Sequence, residues 1–332
     1  GACMEKRLLA GVDVGTSGAK CIIADEDGRV LASSTQEYPL STPKPGWAEQ
    51  NPDDWWMYLK EAIKGAIAKA GIKGTEIDAI GISYQMHGLV LVNRKMQVLR
   101  PSVIWCDSRA VPYGDRAFKS IGEKQCLAHL LNSPGNFTAS KLAWVKEYEP
   151  QIFGQVHKFM LPGDFIAMRM TGDIVTTVSG LSEGIFWDFR NNSVSEDLMN
   201  YFGFSKELVP DIRPTFGVQG ELLGSVASEL GLKKGTPVTY RAGDQPNNAL
   251  SLNVLNPGEI AATGGTSGVV YGVNGKVNYD MLSRVNTFAH VNHSADRTRL
   301  GVLLCINGVG ILNSWVKRNV APEGISYPAL NE

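Results

Sequence analysis

Residues 8–24 read LLAGVDVGTSGAKCIIA, and this stretch decides the fold. Leu8–Val14 and Lys20–Ala24 are apolar runs, and the Gly-Thr-Ser-Gly sequence at residues 15–18 separates them. A short glycine-containing turn between two such runs is typical of a β-hairpin. A polar turn at residues 25–28 leads into a further run, Val30–Tyr38, so the chain is predicted to begin with three consecutive strands.

Alternating helices and strands are predicted after this opening. A helix should begin at Pro52 with Asn51 as its N-cap, and it should end at Gly71. Buried strands are predicted at Ile77–Ser83 and Leu89–Val92. This alternation indicates the α/β class, and a chain of 332 residues is long enough for two domains.

The turn sequence occurs a second time at residues 265–268, again as Gly-Thr-Ser-Gly. Glu259–Ala262 and Val269–Val273 flank this copy as the apolar runs flank the first. The shared context predicts two related halves whose turns face each other across a central cleft. The composition shifts around Gly235-Thr236-Pro237 and the apolar run Val238–Ala242, so we expect a first domain over residues 4–242 and the start of a second over residues 243–332.

Composition excludes several classes of function. The net charge is −1 and no long run of Lys or Arg occurs, which argues against nucleic acid or a membrane surface as the main partner. The five cysteines are scattered without CxxC spacing, as expected for reduced thiols. The sequence contains no secretory signal pattern and no run of about 20 apolar residues. We therefore expect a cytoplasmic protein that binds a small molecule.

Both glycine turns have the composition of a phosphate-binding turn. Glycine lets the backbone amides approach phosphate oxygens, and the small hydroxyls add further donors. Two ordinary hairpin turns are the alternative interpretation. The candidate phosphate-binding residues are Gly15, Thr16 and Ser17 in the first turn and Gly265, Thr266 and Ser267 in the second.

Two aspartates stand at the ends of predicted strands. Asp13 ends an apolar strand directly before the first turn, where a Mg²⁺ ion bridging ATP phosphates would compensate its charge. Asp244 follows the apolar run Val238–Ala242, in position to accept the proton of an attacking hydroxyl in phosphoryl transfer. A helix cap is the alternative role for Asp244.

Two loops offer side chains suited to a polyol. Gln85, Met86 and His87 combine an amide, a thioether and an imidazole, although a structural histidine is the alternative. The segment Trp105-Cys106-Asp107-Ser108-Arg109 places an aromatic, an acid and a base together. Its alternative interpretation is a surface ion pair beside a packed Trp105, and Cys106 is expected to be an inert packed thiol.

In this order and spacing, the segments resemble the FGGY family of carbohydrate kinases over essentially the whole chain. The segments similar to family motifs are Asp13–Lys20, Gln85–Gly88, Trp105–Arg109, Lys141–Glu147, Leu161–Ile166 and Thr263–Gly268. The Gln85–Gly88 loop resembles the branch of the family that phosphorylates xylulose. The resemblance implies an actin-like ATPase fold, which is also ribonuclease H-like.

The resemblance also implies a role for each matching residue. Asp244 would be the catalytic base, and Asp13 would hold Mg²⁺ and the transferring phosphate. The implied sugar-binding residues are Gln85, Met86, His87, Trp105, Asp107 and Gln245. The implied ATP-binding residues are Asp13, Gly15, Thr16, Ser17, Lys20, Gly265, Thr266 and Ser267. The pattern differs at Gln245, where Asn is usual, and in the Thr-Gly-Gly-Thr-Ser form of the second turn.

The implied reaction is phosphorylation of a ketopentose by ATP, converting D-xylulose to D-xylulose 5-phosphate. Family members continue past residue 332 through the part that holds adenosine, so the resemblance implies that the second domain is incomplete here. The alternatives are a kinase for another sugar, a polyol or gluconate, an actin-like ATPase switch, and a fragment that binds sugar without turnover. The oligomeric state stays open, with a homodimer as one option.

Overall fold

The computed structural model describes residues 5–263 and 268–306. Its strands in chain order are β1 (Leu8–Val14), β2 (Gly18–Asp25), β3 (Val30–Glu37), β4 (Glu49–Gln50), β5 (Ile77–Tyr84), β6 (Val90–Val92), β7 (Ser102–Val103), β8 (Lys158–Met160), β9 (Val175–Thr176), β10 (Trp187–Asp188), β11 (Ser193–Val194), β12 (Asp211–Ile212), β13 (Phe216–Glu221), β14 (Pro237–Gly243), β15 (Ile260–Thr263), β16 (Gly268–Asn274), β17 (Asn286–Ala289) and β18 (Leu300–Ile306).

Helices alternate with these strands through most of the described chain. They are α1 (Pro52–Ala70), α2 (Val111–Ile121), α3 (Glu123–Leu130), α4 (Thr138–Tyr148), α5 (Pro150–Phe153), α6 (Pro162–Thr171), α7 (Val178–Glu183), α8 (Glu196–Phe202), α9 (Gly224–Leu230) and α10 (Asp244–Ser251). Short 3₁₀ turns lie at Gly74–Glu76 and Lys206–Leu208. Within the described ranges, no helix combines the length and the apolar character needed to cross a membrane.

Contacts divide the chain into two compact units. Unit 1 takes the described residues of 1–109, 144–177 and 205–244, and unit 2 takes those of 110–143, 178–204 and 245–332. Unit 1 ends at Asp244, whereas unit 2 also includes two segments from earlier in the chain. The domain bounds 4–242 and 243–332 follow the composition of the sequence rather than contacts, and they stay a prediction.

Unit 1 is built on a six-stranded mixed sheet with the order β13-β14-β5-β1-β2-β3. The predicted opening is confirmed, because β1, β2 and β3 form an antiparallel meander. β5 and β14 then add to the other side of β1, both parallel to it. Parallel neighbours require crossover connections, and the segments that carry α1 and α6 supply them.

Helix α1 begins and ends where the sequence predicts. The Asn51 side chain accepts a hydrogen bond from the Asp53 amide, Pro52 occupies the first turn, and Gly71 has the left-handed φ of 66° that ends many helices. Its apolar face packs on the buried face of β2 and β3. Trp55, which is fully buried, lies in this core.

Unit 2 carries a four-stranded antiparallel sheet with the order β15-β16-β18-β17. The β15–β16 hairpin repeats the β1–β2 hairpin of unit 1, as the second turn sequence predicts. Behind it, the Tyr271 hydroxyl donates to His290 Nδ1 at 2.7 Å, and His290 Nε2 donates to the Val254 carbonyl at 2.9 Å. Burial lowers the pKa of His290 to about 4, so this histidine is neutral.

Candidate active site

The carboxyl ends of β1, β5 and β14 meet at one edge of the unit 1 sheet. Asp13 of β1 and Ala242 of β14 are both in register with Ser83 of β5. Since neighbouring strands lie about 5 Å apart, the backbones of β1 and β14 are about 10 Å apart. Open α/β sheets bind ligands at this end of their strands. The first glycine turn, the Gln85–Gly88 loop and Asp244 all leave the sheet at this edge.

Protein donors hold the carbonyl groups of the first turn. The Tyr38 hydroxyl donates to the Gly15 carbonyl, and the Tyr38 amide donates to the Ser17 carbonyl at 3.2 Å. The Gly15 amide closes the turn on the Gly18 carbonyl at 3.0 Å. Within the described residues, the amides of Thr16 and Ser17 donate to no protein acceptor. The turn thus presents two backbone N–H groups from which an anion can accept hydrogen bonds.

Two buried glutamine side chains also donate hydrogen bonds to the carbonyl groups of this turn. Gln50 Nε2 donates to the Thr16 carbonyl at 2.8 Å, and Gln85 Nε2 donates to the Gly15 carbonyl at 3.2 Å. Gln85 Nε2 also donates to Gln50 Oε1 at 2.9 Å. The amide chain therefore links the loop that begins at Gln85 to the glycine turn.

Asp13 lies beside the turn with little compensation for its burial. Burial raises the pKa of Asp13, whereas a hydrogen bond with Ser83 and the charge of Lys20 act in the opposite direction. Lys20 faces Asp13 across the β1–β2 hairpin and is exposed. A Cβ at position 15 would lie 3.3 Å from the Gly18 carbonyl oxygen and 3.4 Å from Asp13 Oδ2, so a side chain there would cover part of the space beside this carboxylate.

These residues fit a magnesium-bound phosphate. Among the described residues, no group of three or more His, Cys, Asp or Glu side chains forms a metal site by itself. Mg²⁺ is usually bound through one or two carboxylates, waters and substrate phosphates, so one approachable carboxylate beside an anion-binding turn is a suitable donor set.

The Gln85–Gly88 loop is held tightly by its surroundings. Met86 is buried and packs on Gly243, where a Cβ would come within 2.6 Å of Met86 Cγ. His87 has a φ of 69°, a conformation that costs free energy for a residue with a side chain. A Cβ at Gly88 would lie 2.9 Å from Pro162 Cγ. This packing places Met86 directly behind the residue before Asp244.

Asp164, in the Leu161–Ile166 segment, forms an ion pair with a residue of β14. Its carboxylate is buried, accepts from the Leu161 amide at 3.0 Å, and pairs with Arg241 at 2.8 Å. Arg241 is itself buried and lies on β14. The ion pair therefore ties the start of α6 to the strand that leads into Asp244.

The Trp105–Arg109 segment combines an exposed and a buried part. Trp105 is 51% exposed, and its Nε1 donates to Thr16 Oγ1 at 2.7 Å, which places this predicted sugar residue against the first glycine turn. Cys106 is exposed, so the expectation of a packed thiol is wrong. The residue lies between the exposed Trp105 and the buried Asp107.

Asp107 has no exposed surface. It accepts from the Ala48 amide at 2.7 Å, the Arg109 amide at 2.8 Å and the Arg109 guanidinium at 2.8 and 2.9 Å. Arg109 stacks on Trp47, with 3.6 Å from Cζ to the ring centre. The alternative interpretation, an ion pair beside a tryptophan, is therefore partly met. The pair is Asp107–Arg109 and is buried rather than at the surface, and the tryptophan beside it is Trp47 rather than Trp105. A sugar-binding role for Asp107 stays a prediction.

Asp244 is the first residue of α10, and Gln245 follows it; both side chains are half-buried. Asp244 thus lies at the start of a helix, as the alternative role of a helix cap requires, and also at the edge of the sheet where the other candidate residues lie. Gly265, Thr266 and Ser267 lie outside the described residues. The roles predicted for all these residues stay predictions.

The comparisons with known proteins agree with this geometry. The FGGY family of carbohydrate kinases, N-terminal domain, matches residues 8–251. The chain belongs to the FGGY family of carbohydrate kinases.

Relatives of this FGGY chain carry the name xylulose kinase. The protein from Bacillus subtilis is 33% identical over 322 residues, covering 96% of this chain and 63% of that protein. The protein from Escherichia coli is 31% identical over 283 residues, covering 85% of this chain and 58% of that protein. The chain therefore spans less than two thirds of the length of these curated relatives.

A solved structure confirms the fold class. The xylulose kinase from Rhodospirillum rubrum superimposes with a TM-score of 0.84 at 26% identity, covering 96% of this chain and 64% of that one. The α/β, actin-like and ribonuclease H-like fold that the family resemblance implies is thus confirmed.

Sequence reasoning missed two residues that support the site. Tyr38 appears in the sequence only as the end of a predicted strand, and Gln50 only as the residue before an N-cap. Their contacts with the turn span 23 and 34 positions of the chain. For Gln50, the available signal is a polar pair, Glu49-Gln50, placed between Trp47 and the helix that contains Trp55.

Proposed function

We propose that this protein uses ATP to phosphorylate a ketopentose and that the substrate is D-xylulose. The observation that carries the proposal is the convergence of the glycine turn, the Gln85–Gly88 loop and Asp244 at the carboxyl ends of β1, β5 and β14. A phosphate-binding turn, a loop suited to a polyol and a carboxylate base are the parts that phosphoryl transfer to a sugar requires. The relatives named xylulose kinase support the choice of sugar.

The turn would bind the phosphates of ATP through the Thr16 and Ser17 amides. Lys20 and the second turn, Gly265–Ser267, would add to this contact. Asp13 would hold Mg²⁺, which neutralises phosphate charge when it is bound. Because phosphoryl transfer demands little covalent chemistry of the protein, we assign these groups to positioning and charge stabilisation.

Asp244 would accept the proton of the attacking hydroxyl, which for D-xylulose is the terminal 5-hydroxyl. Met86 and His87 would contact the sugar, and Gln85, Trp105, Asp107 and Gln245 would complete its surroundings. The Gln85 Oε1 atom is buried and has no hydrogen-bond partner among the described residues. A buried acceptor of this kind is costly unless a ligand donates to it, and a sugar hydroxyl can supply that donor.

We further propose a cytoplasmic location for this reaction and leave the homodimer as one option for assembly. Light scattering of the purified chain measures the mass of the particle and decides between monomer and dimer.

Calorimetric titration tests the proposal directly. The chain is titrated with D-xylulose, with D-ribulose, glycerol and gluconate, and with ATP·Mg²⁺, and a coupled assay follows ADP formation. Selective D-xylulose binding with ADP formation supports the proposal. Selective binding of another compound replaces the substrate, and nucleotide binding without sugar binding favours an ATPase switch. Sugar binding without turnover identifies a binding fragment.

A further inference from the structure

Gln50 has no role in the reaction proposed above, yet both the oxygen and the nitrogen of its side-chain amide make hydrogen bonds. Trp55 Nε1 donates to Gln50 Oε1 at 2.9 Å, and Gln85 Nε2 donates to the same oxygen at 2.9 Å. Gln50 Nε2 donates to the Thr16 carbonyl at 2.8 Å. Gln50 is 4% exposed and Trp55 is not exposed at all.

The orientation of this amide follows from the chemistry of its neighbours. An indole N–H can only donate, so the atom of Gln50 that faces Trp55 must be the oxygen. The nitrogen must then face the Thr16 carbonyl. Trp55 is part of the hydrophobic core on which α1 packs. Through Gln50, the position of Trp55 in this core therefore fixes the direction of the Thr16 carbonyl.

The direction of that carbonyl sets the direction of the next amide. The peptide unit is planar and trans, so the Thr16 C=O and the Ser17 N–H point to opposite sides. Holding the Thr16 carbonyl toward Gln50 therefore turns the Ser17 amide away from the core. Gln85 and Tyr38 act on the preceding carbonyl of Gly15 in the same way.

We propose that Gln50 is a positioning residue that fixes the first glycine turn in its anion-binding orientation. The inference rests on the proposed ATP-binding role of this turn. Gln50 contacts neither phosphate nor sugar in the scheme above and acts through Thr16. Without its N–H donor, the peptide between Thr16 and Ser17 can rotate, and the donors for phosphate are no longer held in place.

Two variants remove this donor in different ways. Gln50→Glu keeps the shape but exchanges the N–H donor for an oxygen, and Gln50→Met keeps the length without any polar atom. Gln219→Glu is the matched control, because Gln219 is also a buried glutamine of unit 1 whose Nε2 holds backbone carbonyls, those of Pro214 and Thr215, at 2.8 and 2.9 Å.

The first readout needs no ligand. The Gly15 and Tyr38 amides donate to the Gly18 and Ser17 carbonyls, so their hydrogen exchange reports the order of the turn. We expect both Gln50 variants to exchange at these amides about tenfold faster than the unsubstituted chain. Gln219→Glu should leave both rates unchanged. Unchanged rates in the Gln50 variants, or equal acceleration in Gln219→Glu, would overturn the proposal.

The second readout is the dissociation constant of ATP·Mg²⁺ by calorimetry, with D-xylulose as the comparison ligand. Both Gln50 variants should weaken ATP·Mg²⁺ about tenfold at pH 8 and weaken the sugar less. The glutamic acid introduced by Gln50→Glu carries an O–H donor once it is protonated. At pH 5.5, the affinity of Gln50→Glu should therefore approach that of the unsubstituted chain at the same pH, whereas the affinity of Gln50→Met should not. Equal pH responses of the two variants contradict the positioning role.

The two readouts separate this inference from the proposed function. If the unsubstituted chain binds neither ATP·Mg²⁺ nor a sugar, the proposed function fails, and the exchange rates still decide whether Gln50 orders the turn. If the chain binds both ligands and the Gln50 variants bind ATP·Mg²⁺ as tightly as it does, the inference fails and the function stands.

Discussion

Asp13 and Asp107 are both buried or half-buried carboxylates of unit 1, and both match family motifs, but their surroundings differ. Asp107 accepts hydrogen bonds from two backbone amides and from the Arg109 guanidinium. Asp13 has Ser83 as a hydrogen-bond partner and the more distant charge of Lys20, and burial raises its pKa. The protein therefore compensates the charge of Asp107 far more completely than that of Asp13.

Asp164 belongs with Asp107 in this comparison. It pairs with Arg241 and accepts from Leu161 and Thr176, and like Asp107 it has almost no exposed surface. A buried charge is stable only when protein or ligand groups compensate it. Groups of the protein itself therefore compensate the charges of Asp107 and Asp164, and the weaker compensation of Asp13 supports its proposed role in holding a cation.

The largest effect is expected at Asp244, a carboxylate that lies at the same sheet edge as Asp13. Asp244→Ala should slow sugar phosphorylation about a thousandfold or more, since it removes the proposed base, and should leave the dissociation constant of the sugar nearly unchanged. A coupled assay and calorimetry measure the two quantities. Asp211→Ala, at an exposed strand position, is the control. Retention of most of the activity in Asp244→Ala removes this residue from the base role.

The next largest effect concerns the compensated carboxylates. Asp164→Ala leaves the buried Arg241 guanidinium without its carboxylate partner, and breaking a buried pair from one side typically costs about 3–5 kcal/mol of unfolding free energy. Urea denaturation measures this loss. Asp53→Ala is the control, because its ion pair with Arg169 is at the surface and should contribute about 1 kcal/mol or less. Equal losses in the two variants would show that burial does not separate these pairs.

A smaller effect is expected from the pH dependence of Asp13. Since burial raises the pKa of Asp13, protonation should weaken ATP·Mg²⁺ binding at a higher pH than an ordinary aspartate would. The charge of Lys20 lowers this pKa, so Lys20→Met should move the loss of affinity to a still higher pH. Calorimetric titrations between pH 4 and 8 give the midpoint for each protein. A midpoint that moves downward in Lys20→Met contradicts the electrostatic assignment.

The smallest effect concerns the chemical reactivity of the cysteines, which reports their burial and does not depend on the proposed function. Burial raises the pKa of Cys21 and Cys126 to about 12, whereas Cys106 is exposed. Because the thiolate is the reactive form, a maleimide at pH 7 should modify Cys106 and leave Cys21 and Cys126 intact. Peptide mass spectrometry identifies the modified residues, with Cys106→Ser as the control. Modification of Cys21 as fast as Cys106 would show that β2 is less buried than described.

Local patterns predict much of the fold. The hairpins, the helix that begins after Asn51 and the strand at Ile77 follow from short-range hydrophobic spacing and capping, and the structure confirms them. These features depend on neighbours within a few residues of each other. The two earlier segments of unit 2 could not be predicted in this way, because they join it through contacts distant in sequence.

The site is predicted less completely for the same reason. The residue types at Asp13, Gln85 and Asp244 identify candidates, but their compensation depends on partners such as Ser83 and Gln50 that the sequence does not connect to them. Asp107 illustrates the limit. A motif match suggests a sugar contact there, and only the folded chain shows that the carboxylate also accepts hydrogen bonds from Arg109 and Ala48.

A paired measurement on Asp13→Asn and Asp107→Asn tests the central claim most directly. For each variant, urea denaturation gives the unfolding free energy and calorimetry gives the dissociation constant of ATP·Mg²⁺. We expect Asp13→Asn to be as stable as the unsubstituted chain or more stable, and to lose most of its ATP·Mg²⁺ affinity. We expect Asp107→Asn to lose about 3 kcal/mol or more of unfolding free energy, with the folded fraction still binding ATP·Mg²⁺. The reverse result, a destabilised Asp13→Asn that binds ATP·Mg²⁺ normally, would contradict the account.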